Sequence, residues 1–180
     1  MPITMSAASI PVFRHYLDVL SDLLETAQAH AEVRGIKPEA LLNARLYPDM
    51  HPLLAQVQFA CDFAKGAVAR LAGLENPPFA DTETDFTQLR DRIDRTLAFI
   101  DSVESGRIDG SEARDVSLKF GKLKLSAGGQ DYLLGFAIPS FLFHVSIAYA
   151  LLRHSGVEIG KLDFLGHVPG MVGFPAGSKG

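Results

Sequence analysis

The chain has 180 residues, of which 47% are hydrophobic and 21% charged, with a formal net charge of -4. This length fits one domain that can bury a core without metal or disulfide staples. The mild negative charge, without a Lys/Arg cluster interleaved with aromatics, argues against a nucleic-acid partner. Cys61 is the only cysteine, which excludes an intrachain disulfide.

The N-terminal ten residues contain neither a basic stretch nor a long apolar one, so we expect no signal peptide there. The longest apolar stretches are interrupted by Ser, His, Gly or Pro well short of the ~20 residues that a membrane span needs. We therefore expect a soluble, cytoplasmic protein without a membrane partner.

The first predicted helix has apolar residues at alternating steps of three and four over residues 10–31, which places them on one face. Ser9 is its predicted N-cap, and Gly35 is predicted to end it. Residues 36–48 form a predicted linker with a short helical turn after Pro38.

The second predicted helix begins at Asp49 as N-cap, with Pro52 in its first turn, and ends at Gly73. Asn76-Pro77-Pro78 then predicts an extended connection, because each proline disfavours helix in the residue before it.

The third predicted helix begins at Asp85, which forms a capping-box pattern with Gln88. Its apolar face continues in three-four rhythm to Val103. The charged residues between 90 and 95, Arg92 among them, are predicted to form a solvated face rather than a binding site.

A β-hairpin follows, because apolar and polar residues alternate on both sides of Gly121-Lys122. A Gly-X pair between alternating runs is typical of a two-residue type II′ turn. The predicted apolar face packs on the helices, since an isolated hairpin is marginal in water. The predicted register pairs Phe120 with Leu123, Leu118 with Leu125, Val116 with Ala127 and Lys119 with Lys124.

The last predicted helix, residues 132–152, is apolar nearly all round. Pro139 is expected to break it or begin it, and Gly156 to close it. A helix with two apolar faces needs two partners, so a homodimer is a reasonable expectation. Phe164 and Leu165 are predicted to fold back on the bundle, and residues 168–180 to form a flexible tail after a single domain of residues 1–167.

Three groups of residues could carry chemistry, and the third of them, Arg153-His154 with Lys161-x-Asp163, is predicted to be structural. His144 lies in the most apolar helix, where a buried histidine bonded to a neighbour is the commonest case and a role in a small-molecule, catalytic or metal site the alternative. Asp62 and Lys65 are three apart and are predicted to pair on the helix surface. The alternative places Asp62 against His144 as an acid–base pair.

Several segments together resemble an uncharacterised bacterial family, a domain of unknown function within the DinB/YfiT-like metalloenzyme superfamily. The resemblance covers residues 6–166 and rests on Tyr47-Pro48-Asp49-Met50, on Gln56-Val57-Gln58 with Asp62 and Lys65, on Phe143-His144-Val145 with Ala148-Tyr149, and on Leu152-Arg153-His154 with the stretch from Gly156 to Gly166. It implies an all-α fold: an antiparallel, often dimeric four-helix bundle.

The resemblance also implies a divalent metal, commonly nickel or zinc, held by a histidine of the second helix and a His-x-x-x-His pair of the last. His144 matches one member of that pair, but Ala148 stands where the next histidine belongs. His51 lies at the start of the second helix rather than in its body. His51 and His144 are therefore weak metal candidates, and the full triad is not carried over.

The leading hypothesis is a bundle that binds a small molecule between the second and last helices. Its predicted lining is His144, Asp62, Gln58 and Tyr149. One alternative is a non-catalytic dimeric interaction module. The other is a divergent metal-dependent enzyme of the thiol-transferase or hydrolase type.

Overall fold

The computed structural model describes residues 2–168, 170 and 171, and this part of the chain is mainly helical with one two-stranded antiparallel sheet. The predicted mainly helical fold is confirmed at that level. The predicted tail falls largely outside the described residues, since 169 and 172–180 lie beyond them. The elements are α1 Met5–Arg34, α2 Pro38–Leu42, α3 Leu53–Ala72, α4 Phe86–Asp101, α5 Ser105–Ile108, β1 Asp115–Phe120, β2 Leu123–Gly128, α6 Gly129–Tyr132, a π-helical turn Leu133–Ala137, α7 Ile138–His154 and α8 Lys161–Leu165.

Helix α1 begins more than a turn earlier than predicted, so the Ser9 cap is wrong. Thr4 caps the helix instead, and its side chain accepts from the Ala7 amide. Ser9 lies inside the helix, where its hydroxyl donates to the Met5 carbonyl at 2.7 Å. The predicted end is confirmed, since Gly35 adopts a left-handed φ of 64° that suits glycine.

Helix α3 begins at Leu53 with Pro52 as its N-cap, so the predicted start at Asp49 is wrong. Its end at Gly73 is confirmed. The cap of α4 is also confirmed, because the Asp85 carboxylate accepts from the Gln88 amide at 2.8 Å. The Gln88 side chain reaches back one residue further than a standard box, to the Thr84 amide at 2.8 Å.

The long helices pack around one apolar core. Helices α4 and α7 each contact both α1 and α3, and α1 also contacts α3. Phe13 of α1 meets Phe141 of α7 edge to face, with ring centroids 5.2 Å apart, and both side chains are fully buried. Aromatic pairs in this geometry add to the stability gained from burial.

The hairpin register is confirmed at every predicted pair. Gly121 has a φ of 57°, and no non-glycine residue in the described part of the chain has a positive φ, as a type II′ turn requires. Val116 at the base is buried, but Leu123 and Leu125 near the tip are 56% and 37% exposed. The prediction that the whole apolar face packs on the helices is therefore wrong at the tip.

The last long helix runs from Gly129 to His154 without a break. Pro139 lies inside this continuous helix, just after the π turn Leu133–Ala137, where the hydrogen-bond register changes and a residue without an amide donor is accommodated. The stretch, with a mean hydropathy of 1.7, is long and apolar enough to cross a membrane, a test that core helices of soluble proteins also pass. The expectation that such stretches are interrupted is wrong for this helix.

The C-terminal segment folds back onto α1 and α7, as predicted. The centroid of the Phe164 ring lies 5.4 Å from that of the Tyr16 ring and 5.5 Å from that of the Tyr149 ring. The His15 side chain meets the Leu165 carbonyl at 2.7 Å. Asp163 accepts from the Gly160 amide at 2.6 Å, which caps α8.

Candidate ligand-binding cleft

A cleft of about 450 Å³ opens beside α3. Its volume falls within the range of small-molecule sites, roughly 300–1,000 Å³. We call it the aromatic cleft; it is lined by Phe59, Asp62, Phe63, Lys65, Arg70, Asn76, Pro77, Pro78, Phe79, Leu118, Tyr132 and Phe136.

The floor of the aromatic cleft is one face of α3. Phe59, Phe63 and Arg70 recur at helical spacing and so lie along one stripe. Gly66 occupies the same stripe between them and contributes no side chain. Gly66 therefore leaves a notch in the floor, and the Arg70 guanidinium lies over this notch beside the two aromatic rings.

One wall is the proline-containing segment between α3 and α4. The buried Lys65 ammonium donates to the Pro77 carbonyl at 2.6 Å and lies 4.0 Å from the centre of the Phe79 ring. Arg95 of α4 approaches the same ring at 4.2 Å. Cations over a ring face attract its π electrons, so these side chains hold Phe79 in place.

The wall is anchored by Arg92, whose side chain is fully buried. Its guanidinium contacts carboxylate oxygens of Asp62, Asp81 and Glu83, each at 3.0 Å, and donates to the Ala80 carbonyl at 3.1 Å. A buried charge is tolerated only when it is paired and hydrogen-bonded. Arg92 thus joins α3, α4 and the intervening segment.

Glu83 is the most buried carboxylate of this network, with a side chain 7% exposed. Its second oxygen accepts from the Gln58 amide at 2.8 Å. Burial by itself raises the pKa of Glu83, but the hydrogen bonds from Gln58 and Arg92 outweigh it and lower the pKa below its usual value. Glu83 therefore stays ionised opposite Arg92.

The prediction that Arg92 lies on a solvated face is wrong. Arg92 falls three residues after Leu89 and four before Thr96, and both are buried. This spacing places its side chain on the core face of α4. The sequence therefore contains the spacing that indicates burial of Arg92, but the charge of the side chain led to the opposite prediction.

The opposite wall is formed by α6 and the π turn. The Phe136 ring packs against Phe63 at 5.9 Å and against Tyr132 at 6.1 Å. Arg70 donates to the Tyr132 hydroxyl at 3.2 Å. Burial raises the pKa of Tyr132, which keeps the hydroxyl protonated although the Arg70 charge acts in the opposite direction.

His144 lies next to the cleft, against two of its rings. The centroid of its imidazole ring lies 5.4 Å from that of the Phe63 ring, in a stacked arrangement, and 5.2 Å from that of the Phe59 ring. Burial, together with the nearby His51, lowers the pKa of His144 to about 4. The imidazole is therefore neutral near pH 7.

A relay of hydrogen bonds selects one tautomer of His144. The Gln56 side-chain nitrogen donates to the His51 carbonyl at 3.0 Å, so its oxygen faces His144 Nδ1 at 2.8 Å. An amide oxygen only accepts, so Nδ1 carries the proton. Nε2 then holds a lone pair that is able to accept a proton or a hydrogen bond.

The structure separates the four predicted lining residues. Asp62 lines the aromatic cleft, and its predicted ion pair with Lys65 is present at 3.2 Å, although Lys65 is buried rather than on the surface. Gln58 is turned to Glu83, and His144 to Gln56. Tyr149 packs against Phe164, away from the cleft lining. Asp62 and His144 therefore bond to different residues, Asp62 to Lys65 and Arg92 and His144 to Gln56, instead of forming the alternative acid–base pair.

Cys61 is fully buried beneath this face of α3, as expected for a lone cysteine in an apolar helix. Burial raises the pKa of its thiol to about 12. A thiol that stays protonated is a poor nucleophile, so Cys61 belongs to the core.

The residues of the described region do not fit the three-histidine metal site that the superfamily implies. Residues 2–168, 170 and 171 contain no cluster of three or more His, Cys, Asp or Glu side chains that could hold a metal ion. His51 and His144 flank Phe59, and Ala148 supplies no ligand atom.

Comparison with known proteins places the chain in a family. Residues 5–165 match the family model described as Domain of unknown function (DUF1993). The chain belongs to this family. It is similar to a DinB family member protein from Shewanella denitrificans, whose crystal structure superimposes with a TM-score of 0.81 at 35% identity, over 90% of this chain and 92% of that one. A comparison with curated proteins gives no match.

Proposed function

We propose that this DinB-like protein binds a small, partly aromatic organic molecule in the aromatic cleft. The observation that carries the proposal is the lining itself, in which five aromatic rings and a few charged groups surround about 450 Å³. Sites for small molecules combine such apolar surfaces with a few placed polar groups.

The Arg92 network supports the proposal because it makes the proline-containing wall rigid before any ligand arrives. A preformed wall spares the ligand the cost of ordering it. The antiparallel four-helix arrangement predicted from the sequence is part of the same proposal, supported by the pairing of α4 and α7 with both α1 and α3.

A screen of aromatic acids, amides and amines by thermal shift, followed by calorimetry, tests the proposed function. Asn76 lies exposed on the cleft lining, so Asn76→Trp should fill the cleft and weaken any hit at least about tenfold. Glu75→Trp, at the exposed neighbour outside the lining, is the matched control. Hits that bind both variants like the wild type would place binding elsewhere and contradict the proposal.

A dimeric interaction module is the second candidate, favoured by exposed apolar side chains. Leu134 and Phe143 of the last long helix are 52% and 53% exposed, and Leu123 at the hairpin tip is 56% exposed. Exposed apolar surface of this kind marks interfaces when it is contiguous. Light scattering decides the matter: a dimer that Phe143→Ser dissociates supports this candidate, and a monomer at all concentrations rejects it.

A further inference from the structure

Two cationic side chains, Lys65 and Arg70, line the aromatic cleft, and Arg70 is the one that keeps N–H donors for a ligand. Lys65 is occupied by Asp62, the Pro77 carbonyl and the Phe79 ring. Arg70 has five N–H donors, and the Tyr132 hydroxyl takes one of them. Within the part of the chain that the structure describes, Arg70 takes part in no ion pair.

The ordinary role of an arginine in a last helical turn does not account for Arg70. Such a cation normally reaches toward the terminal carbonyls, where the helix dipole favours it. The Arg70 guanidinium lies back along α3 over Gly66, one turn toward the N-terminus, which is the usual direction of a long helical side chain and points away from the helix end. Arg114 from outside the helix already lies against Gly73 at its end.

Gly66 is what allows this position. A β-carbon there would collide with the Arg70 guanidinium and with no other group so closely. Glycine in a helix interior is unfavourable relative to alanine, so this position gives up helix stability. What it gains is a guanidinium that lies on the floor of the cleft.

We propose that the ligand of the aromatic cleft carries a carboxylate and that Arg70, whose guanidinium lies over Gly66, binds it. This inference rests on the proposed function. Guanidinium and carboxylate match as a planar, two-bond pair. The Tyr132 hydroxyl accepts from Arg70, so its own hydrogen is available as a second donor to the ligand. Because Asp62 also lines the cleft, a single negative charge fits better than the double charge of a phosphate.

The test uses matched probes: 2-naphthoate against 2-naphthamide, indole-3-acetate against indole-3-acetamide, and 2-naphthyl phosphate as the dianion. Calorimetry on the full chain should show each carboxylate binding about 10- to 100-fold more tightly than its amide, the range of a charged hydrogen-bonded pair. Arg70→Gln should abolish this preference, because carboxylate binding weakens far more than amide binding. Arg70→Lys should retain part of it.

Gly66→Ala separates recognition from folding. Added helix propensity should keep or raise the melting temperature, while displacement of the guanidinium lowers carboxylate affinity at least about fivefold and amide affinity much less. Loss of carboxylate binding through unfolding would instead lower the melting temperature and affect both probe classes.

These measurements distinguish a failure of the carboxylate inference from a failure of the proposed small-molecule site. Carboxylates and amides that bind equally well to the wild type, tighter binding of the phosphate, or a preference that survives Arg70→Gln would each overturn the carboxylate inference and leave the small-molecule site standing. An unchanged preference in Gly66→Ala would overturn the role of the notch. Absence of binding by every probe, with no hit in the wider screen, would reject the proposed function as well.

Discussion

The two flanks of α3 satisfy their polar groups in opposite ways. On one flank, Asp62 and Lys65 share a buried network with Arg92 in which nearly every contact holds the proline-containing segment. On the other, His144 bonds to Gln56 through Nδ1, and no residue that the structure describes bonds to its Nε2 lone pair. The first flank therefore builds a wall, whereas the second retains a group with chemical capacity.

The aromatic cleft lies between these flanks, since Phe59, Phe63 and Gly66 fall between them around the helix. A charged cluster beside a cleft is thus not by itself a binding site. Here the charges that pair with one another fix the shape of the cleft, and Arg70 and His144, which keep a donor or an acceptor for a ligand, are the candidates for chemistry.

Removing Arg92 should give the largest effect. Arg92→Met leaves Glu83 buried without its cation and detaches the wall, so we expect a loss of about 3–5 kcal/mol in the free energy of unfolding. Urea denaturation measures it. Arg95→Met, which removes only a contact with the Phe79 ring, should cost less than about 1 kcal/mol. Equal effects of the two changes would show that the network is not an anchor.

Glu83→Gln should weaken the same flank less, by about 1.5–3 kcal/mol near pH 7, because Arg92 keeps its other carboxylates. The pKa of Glu83 is lowered in the fold, so its contribution is present above the unfolded pKa and is lost as pH falls through the folded one. The stability difference between wild type and variant should shrink below about pH 4.5. Asp81→Asn, at a side chain 60% exposed, is the control.

The histidine flank should respond in a different pH window. Because the folded pKa of His144 is depressed to about 4, its neutral form contributes stability above the unfolded pKa near 6.5, and this contribution is lost as pH falls toward 4. The wild type should therefore lose stability between about pH 6.5 and 5, before Glu83 titrates. His144→Gln should flatten that slope, and exposed His154→Gln should leave it unchanged.

The smallest effect lies outside both flanks, on the hairpin. Lys119 and Lys124 are directly paired across the strands, and like charges in this position repel. Lys124→Glu should raise the free energy of unfolding by about 0.2–1 kcal/mol in low salt. Lys122→Glu in the turn is the charge-matched control, and an equal gain from it would attribute the effect to net charge alone.

Local patterns allowed much of the fold to be predicted. The hairpin register followed from strict alternation around Gly121-Lys122, and the ends of α1 and α3 followed from Gly35 and Gly73. Helix starts were less certain because Ser9, Thr4 and Asp49 are all plausible caps. The choice depends on which backbone amides the tertiary structure leaves without partners.

The candidate site was harder to predict because its contacts are distant in sequence. The partner of His144 is Gln56 on another helix, and Arg92 binds two carboxylates of the proline-containing segment. Neither pairing has a sequence signature. Arg70 was missed because only the fold shows that Tyr132, Phe136 and Leu118, which are distant in sequence, form a cleft beside it.

The most direct test of the small-molecule site is to map where 2-naphthoate binds, by NMR of protein carrying labelled phenylalanine and leucine. The account predicts saturable shifts in the rings of Phe59, Phe63 and Phe136 and in the methyl groups of Leu118, with Leu134 and Phe143 unaffected. Shifts confined to Leu123, Leu134 and Phe143, or no saturable shift with 2-naphthoate or any other compound of the screen, would contradict it.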